Sequence, residues 1–399
     1  AGGKVLSGAE AFKLYDTFGF PLDLTMEIAG ERGVSVDEDQ FAKFMNDQRE
    51  RARAARAAMG DLGWEGDVLQ GIPGNTEFVG YTDKTCTAKV AAIIKDGALA
   101  DEIDEGESGI IVLDRTCFYG EGGGQVGDSG ILFGANSTFQ VLDTKKSVNS
   151  HFMHIGEMKA GMIRVGDELT AEIDSLRRDS IMRNHSACHL LQAALREVLG
   201  THVHQSGSYV DETLCRFDFS HFSAMTSDEI ARVENIVNDM ILAALPVTVE
   251  TMSQDEAKAK GAMALFGEKY GDAVRVVDMG GRSIELCGGT HVDNTSRVGL
   301  FKIVKESSIA AGVRRIEAVT GRGVLGLIDA DRHLMDMACE ALKVGSHAEL
   351  PGKAAAVAAE LKAKDKEIEE INGKLASMQT QALANTAVEV GSVKLVHAS

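Results

Sequence analysis

The chain has 399 residues, 44% of them apolar, which is room for about two to four domains with ordinary hydrophobic cores. No run approaches the ~20 apolar residues of a membrane span and the first residues, AGGKVLSGAEAF, lack the regions of a secretory signal, so a soluble, cytoplasmic protein without a membrane partner is expected. A formal charge of -19 excludes a general nucleic-acid binder, since non-specific affinity comes from neutralising phosphates, and any RNA contact must be local.

Residues 1 to 64 read as mostly helical. Within them Arg49, Arg53 and Arg56 share one face at helical spacing, either a local RNA contact or a solvated basic face. After the turn-rich GIPGN around Pro73, β-rich runs such as TAKVAAIIKDG and ESGIIVLDRTCF alternate with glycine turns over 65 to 150. That is the grammar of a small barrel or sandwich. From 151 to 325 helices and strands mix. SLRRDSIMRNHSACHLLQAALREVLG carries apolar residues at Ile181, Leu191, Ala194, Leu195 and Val198, with Gly200 placed as a stop. Thr226 with Glu229, and Ser253 with Glu256, have capping-box spacing ahead of two further helices. The strand-like runs GSYVDETLCRFDF, PVTVETM, AVRVVDMG and VGLFKIVKE complete an α+β region. Over 326 to 399 the composition shifts to Ala, Lys and Glu, and Val357, Leu361, Lys364, Ile368, Ile371, Leu375, Met378 and Ala382 trace a heptad seam interrupted by the lysine. It packs either as an intramolecular hairpin or between two chains, the second giving a homodimer. The chain starts without Met and its last run, VEVGSVKLVHAS, opens a strand and stops, so an excerpt from a longer protein is expected.

Six cysteines at scattered spacings form no disulfide framework, which leaves at least one free for other chemistry. His185 and His189 are four apart on the expected helix, so both rings leave one face about a turn apart, as two imidazoles gripping one ion require. HSACH lacks the glutamate of H-E-x-x-H, which weakens a metalloprotease reading. About a hundred residues later, ELCGGTHV sets Cys287 and His291 four apart beside two glycines. The two pairs together form a soft set of three imidazoles and a thiolate, which selects zinc by ligand type. Four protein ligands is also the count of a closed structural site, so coordination alone does not prove catalysis.

The combination of HSACHLL, ELCGGTHV, FYGEGGGQVGDSG, RFDFSH and AFKLYDTFGFPLDLT resembles alanyl-tRNA synthetase, from the end of its tRNA-recognition helices through its editing domain. The resemblance runs from about residue 8 to the helix after 350, with the aminoacylation half absent. It implies zinc-dependent hydrolysis of mischarged Ser-tRNA(Ala) and Gly-tRNA(Ala), because a small synthetic pocket separates such neighbours by only ~1–3 kcal/mol. By the same resemblance His185, His189, Cys287 and His291 hold zinc, and Gln205, Cys188 and Arg314 line the editing pocket. Each of those three also has a plain reading, as a polar strand residue, a small core residue and an ion-pair partner. Gly122, Gly123 and Gly124 with Gln125 let backbone approach the terminal nucleotide of the tRNA(Ala) acceptor end, or simply form a turn between strands. The sequence departs from the family where Cys188 replaces the usual threonine and where glycines replace alanine and serine in FYGEGGGQ. The architecture implied is α+β: a helical N-terminal remnant, a small β-barrel, an α+β zinc-containing editing core and a C-terminal coiled-coil-like helix. Two rivals are a non-catalytic tRNA-binding and dimerising module with structural zinc, and a free-standing trans-editing protein, against which AFKLYDTFGFP argues.

Overall fold

The computed structural model describes residues 4–18, 25–26, 29–30, 34–37, 40–41, 43–44, 68–69, 71–72, 74–147, 150–263, 273–385 and 388–395. Arg49, Arg53 and Arg56 lie outside the described residues. Near the start, helix α1 (Gly8–Phe18) runs between strands β1 (Lys4–Leu6) and β2 (Val34–Val36), which pair in parallel. The Glu10 carboxylate accepts from the backbone N–H and hydroxyl of Ser7, while the Glu10 N–H donates back to Ser7 Oγ, a capping box that starts the helix. Among the described residues of this region helix predominates, with the two short strands added to it. Two three-residue strands, KVL and VSV, are too short to show a period of two.

Six antiparallel strands close into a barrel: β3 (Thr85–Lys95), β4 (Ser108–Leu113), β5 (Gly130–Phe133), β6 (Thr138–Lys146), β7 (Phe152–Ala160) and β8 (Glu168–Ile173). They pair in the ring order β8-β5-β6-β7-β4-β3, and β3 returns to β8 through the register Ala88 with Leu169. Closure leaves the ring no open edge, and its inward side chains, among them Ile93, Ile111, Phe118, Leu132, Phe139 and Val141, fill the interior without solvent exposure. The barrel thus reaches Ile173, past the boundary expected at 150. At that expected boundary Ser150 N–H donates to Ser147 O and Ser147 N–H to His151 O.

The barrel hands over directly to α2 (Ser175–Leu199), whose first N–H groups from Leu176 and Arg177 are accepted by Asp174, and which ends at Gly200 with φ 117°. A four-stranded antiparallel sheet packs on it in the order β9 (Gln205–Val210), β10 (Cys215–Ser220), β15 (Val313–Thr320), β14 (Phe301–Ala310). GSYVDETLCRFDF is thus a hairpin, its turn held by Asp211 Oδ1 accepting from the N–H groups of Thr213 and Leu214. Helices α3 (Ser227–Leu242) and α4 (Gln254–Ala259) begin with complete capping boxes at Thr226/Glu229 and Ser253/Glu256. A second sheet runs β11 (Val247–Ser253), β12 (Ala273–Met279), β13 (Ile284–Leu286). Ile181, Leu191, Ala194 and Leu195 of α2 are fully buried with Phe217, Phe219, Val233, Val237 and Ile316, so the predicted apolar stripe is this core's central face.

By internal contacts the chain divides into Ala1–Val324 and Leu325–Ser399. The second unit holds most of α5 (Arg322–Leu342), the 36-residue helix α6 (Leu350–Asn385) and a hairpin of β16 (Val388–Val390) with β17 (Val393–Leu395). The seam residues Val357, Leu361, Ile368, Ile371, Leu375 and Met378 stand 39–69% exposed on α6. Among the described residues, no helix is long and apolar enough to cross a membrane.

Candidate metal centre

The spacing of four on α2 stacks the His185 and His189 rings with centroids 5.5 Å apart. The loop after β13 brings Cys287 and His291 against them, the His291 ring lying 4.4 Å from His185 and 4.9 Å from His189. One ligand atom from each of the four falls within 4.8 Å of the others. The Cys287 sulfur is 3.5 Å from His185 Nε2 and 3.2 Å from His291 Nε2. This loop is clamped from outside. Arg275 donates through Nη1 to the Cys287 and Gly289 carbonyls, both at 2.8 Å, and its guanidinium lies 4.1 Å over the Tyr81 ring, whose hydroxyl bonds Gly288 O at 2.7 Å. Of the two loop glycines, Gly289 is the one the packing requires: a Cβ there would come within 2.0 Å of His185 Cε1.

Each imidazole is held by its Nδ1. His185 Nδ1 meets Gln125 Oε1 at 2.8 Å, and His189 Nδ1 donates to Glu285 Oε2 at 2.8 Å, Glu285 being held in turn by the Ser283 hydroxyl at 2.6 Å. His291 Nδ1 lies 3.2 Å from Ser186 Oγ, which also accepts from the Val292 N–H. The Nε2 atoms therefore face one another's centre, the orientation that second-shell bonds give metal-binding histidines. His189 Nε2 is buried without a hydrogen-bond partner. An orphaned nitrogen is costly unless something outside the protein completes it, and a soft metal ion fits this donor set.

The charges are poised for a cation. Burial alone would raise the Cys287 thiol, but the imidazoles of His185, His291 and His189 overcome it and hold the group well below the usual thiol range. Burial alone would lower His189, yet the negative charges of Glu285 and Cys287 lift it to about 10. His291 goes the other way, pushed by burial down to about 3 against the pull of Cys287.

The expected pocket residues do not join this cluster. Cys188 is buried on the core side of α2 beside Cys215, whose contact and the surrounding burial push its thiol well up. Gln205 opens β9, half-buried, and donates through Nε2 to Ser208 Oγ at 3.1 Å. Arg314 is two strands away, both residues pairing with Phe219, and its guanidinium is taken by Glu306 at 2.5 and 2.6 Å.

Gly122 to Gln125 form a tight turn closed by two backbone bonds, Gln125 N–H to Gly122 O at 3.0 Å and Gly122 N–H to Gln125 O at 3.1 Å. Gly123 and Gly124 have φ of 57° and 80°, the signs a type I′ turn demands of its central pair. Gly123 is exposed at the tip. The Gln125 side chain is 0% exposed and faces the metal cluster. Sequence reasoning also passed over Glu285, Ser186, Thr290, Arg275 and Tyr81. Glu285 alone left a signal, since it stands two residues before Cys287 in a strand, a carboxylate on the same side as the ligand. A cavity of about 420 Å³ opens beside His291 and Thr290, lined also by Tyr81, Arg275, Thr251 and Asp293.

Comparison with known proteins agrees with this layout. Residues 1–177 match the family of tRNA synthetases class II (A), and residues 274–317, which include Cys287 and His291, match the threonyl and alanyl tRNA synthetase second additional domain. Over its whole length the chain is 50% identical to an alanine–tRNA ligase from Methylobacillus flagellatus and 45% identical to one from Bacillus subtilis. Over 100% of its length it is also 49% identical to the enzyme of Burkholderia thailandensis, and in all three it spans 45% of the relative. Over the stretch it shares with these enzymes, the chain belongs to the alanyl-tRNA synthetase family.

Proposed function

We propose that the chain carries the editing activity of such an enzyme, zinc-dependent hydrolysis of Ser-tRNA(Ala) and Gly-tRNA(Ala), with one zinc held by His185, His189, Cys287 and His291. The observation that carries this reading is the inward convergence of four soft donors with His189 Nε2 left unpaired. Bound there, zinc would supply a Lewis acid that polarises or orients the ester. Water adds to the ester carbonyl carbon, the bond to the terminal adenosine oxygen breaks with a proton passing to that oxygen, and free amino acid leaves. The protein's part is positional. Gln125 and Glu285 hold two of the imidazoles, Arg275 and Tyr81 hold the loop of Cys287 and His291, and the adjoining cavity shelters the acceptor end. Gln205 is assigned a hydrogen bond to substrate or water, Cys188 a place lining the pocket close to the metal without being a ligand, and Arg314 a phosphate or adenosine contact that must compete with Glu306. In this reading the RNA meets the backbone of the turn at Gly123, Gly124 and Gln125 and the basic face of Arg49, Arg53 and Arg56. Residues 1–64 end the tRNA-recognition helices, and the seam on α6 pairs two chains.

One observation favours a second reading, a non-catalytic module with structural zinc. Four protein donors at low exposure is the count of a closed site. Deacylation of Ser-, Gly- and Ala-tRNA(Ala) by the purified chain decides. The expected result is one zinc per chain, loss of the serine and glycine esters well ahead of the alanine ester, and loss of both zinc and activity in Cys287→Ala. A zinc-loaded chain that leaves all three esters intact would establish the structural reading.

A further inference from the structure

We infer that Gln125 is a positioning residue of the metal centre, through which the barrel's glycine turn helps set how tightly the metal is held. The amide orientation follows from its neighbours. The Thr290 backbone N–H can only donate, and it lies 2.9 Å from Oε1, so that atom is the oxygen. His185 Nδ1, 2.8 Å from the same oxygen, must then carry its ring proton, leaving Nε2 with the lone pair that a metal needs. At its other end the amide donates through Nε2 to Thr290 Oγ1 at 2.9 Å. One fully buried side chain therefore fixes the tautomer of a helix ligand and ties it to the loop bearing the other two donors, across sequence separations of 60 and 165 residues.

Neither side has room to adjust if that tie is cut. The loop is already against the ring, since a Cβ on Gly289 would meet His185 Cε1 at 2.0 Å and Gln125 Oε1 at 3.0 Å. The turn is equally fixed: Val210 N–H donates to Gly124 O at 2.7 Å, and Val126 N–H to Val210 O at 3.1 Å. A Cβ on Gly124 would strike Ser208, the same residue that Gln205 bonds. Metal, turn and the start of β9 are thus one connected set, and a change at Gln125 must be felt at His185.

The role does not depend on the chain being a deacylase, because its readouts are metal affinity and a ring proton. Gln125→Met keeps the length of the side chain but offers no oxygen, and Gln125→Glu keeps two acceptors. In chelator competition with the full chain, zinc affinity should fall about 10- to 100-fold in Gln125→Met and change by less than about threefold in Gln125→Glu, the size of effect that second-shell partners have. The visible bands of the cobalt-loaded protein should shift only in the methionine variant. In wild-type zinc protein, imidazole nitrogen NMR should place the His185 proton on Nδ1. Unchanged zinc affinity and cobalt spectrum in Gln125→Met would overturn the role. So would an Nε2 proton in the wild type, a result that stands even if the variant does not fold. A chain that takes up neither zinc nor cobalt overturns the metal centre and this role with it, whereas failed deacylation by a zinc-loaded chain touches only the proposed reaction.

Discussion

The barrel and the α+β core both bury histidine, and they finish it differently. His154 is 0% exposed inside the barrel wall, donating through Nδ1 to Ile111 O at 2.8 Å while Nε2 accepts from the Thr116 hydroxyl at 2.7 Å. His189 is also buried but has only its Nδ1 answered, by Glu285. A buried ring with both nitrogens bonded is complete in itself. One with a single free nitrogen, turned toward a thiolate and two more imidazoles, is part of a binding site. HFMH and HSACH look alike as short motifs, so the distinction lies wholly in the second nitrogen.

The joint between the two regions gives the largest expected effect. Arg178 of α2 reaches into the barrel, paired with Asp128 and donating to the carbonyls of Gly80 and Cys117, with both side chains of the pair almost fully buried. Arg178→Met strands the Asp128 charge in the interior and should cost about 3–5 kcal/mol. Denaturant unfolding should move to lower concentration and separate into barrel and core steps; an unchanged midpoint would mean that the joint rests on other contacts.

A smaller effect belongs to the barrel alone. Burial lowers His154 to about 4 from 6.5, only partly opposed by the Ile111 carbonyl. A ring whose folded value lies below its unfolded one is protonated first in the unfolded chain. Its contribution is complete above pH 6.5 and is lost as pH falls from there toward 4, a loss of about 3 kcal/mol. Unfolding free energies at intervals from pH 7 to 4 should show that slope, and His154→Gln should flatten it. A wild-type profile without the slope would show that the ring is charged inside the fold.

The smallest effect is confined to the core and leaves the metal alone. Thr226 Oγ1 caps α3 by accepting from the Glu229 N–H at 3.2 Å, so Thr226→Ala should cost about 1 kcal/mol with metal content unchanged. Loss of metal in that variant would show that the cluster tolerates no strain in the helix behind it.

What could be read from sequence was local. The ligand pairs and both capping boxes are patterns three or four residues apart, the apolar stripe of α2 lies within a single helix, and each expresses a geometry the backbone repeats. The barrel was legible where β-rich runs sat between glycine turns, as in β3 and β4, whereas β7 opens with Phe152, Met153 and His154 all buried and so shows no period of two at its start. The surroundings of Gln125 and Cys188 were illegible for a different reason. Gln125 bonds residues 60 and 165 positions away, and Cys188 meets Cys215 on a neighbouring strand that no pattern within its own helix marks.

The distance along the chain between the two halves of the metal cluster also has a consequence in time. His185 and Cys287 are 102 residues apart, which a ribosome working at about 5–20 residues/s covers in about 5–20 s. Helix α2 therefore leaves the ribosome with two imidazoles and waits through the making of the β9–β10 hairpin, α3 and the second sheet before Cys287 and the last imidazole arrive. An ion held early by the first pair would have only two ligands and would exchange freely. The full donor set becomes available only once β13 has been laid down and while β14 and β15 are still to come, so any metal uptake falls late in this region's assembly and cannot be what starts it.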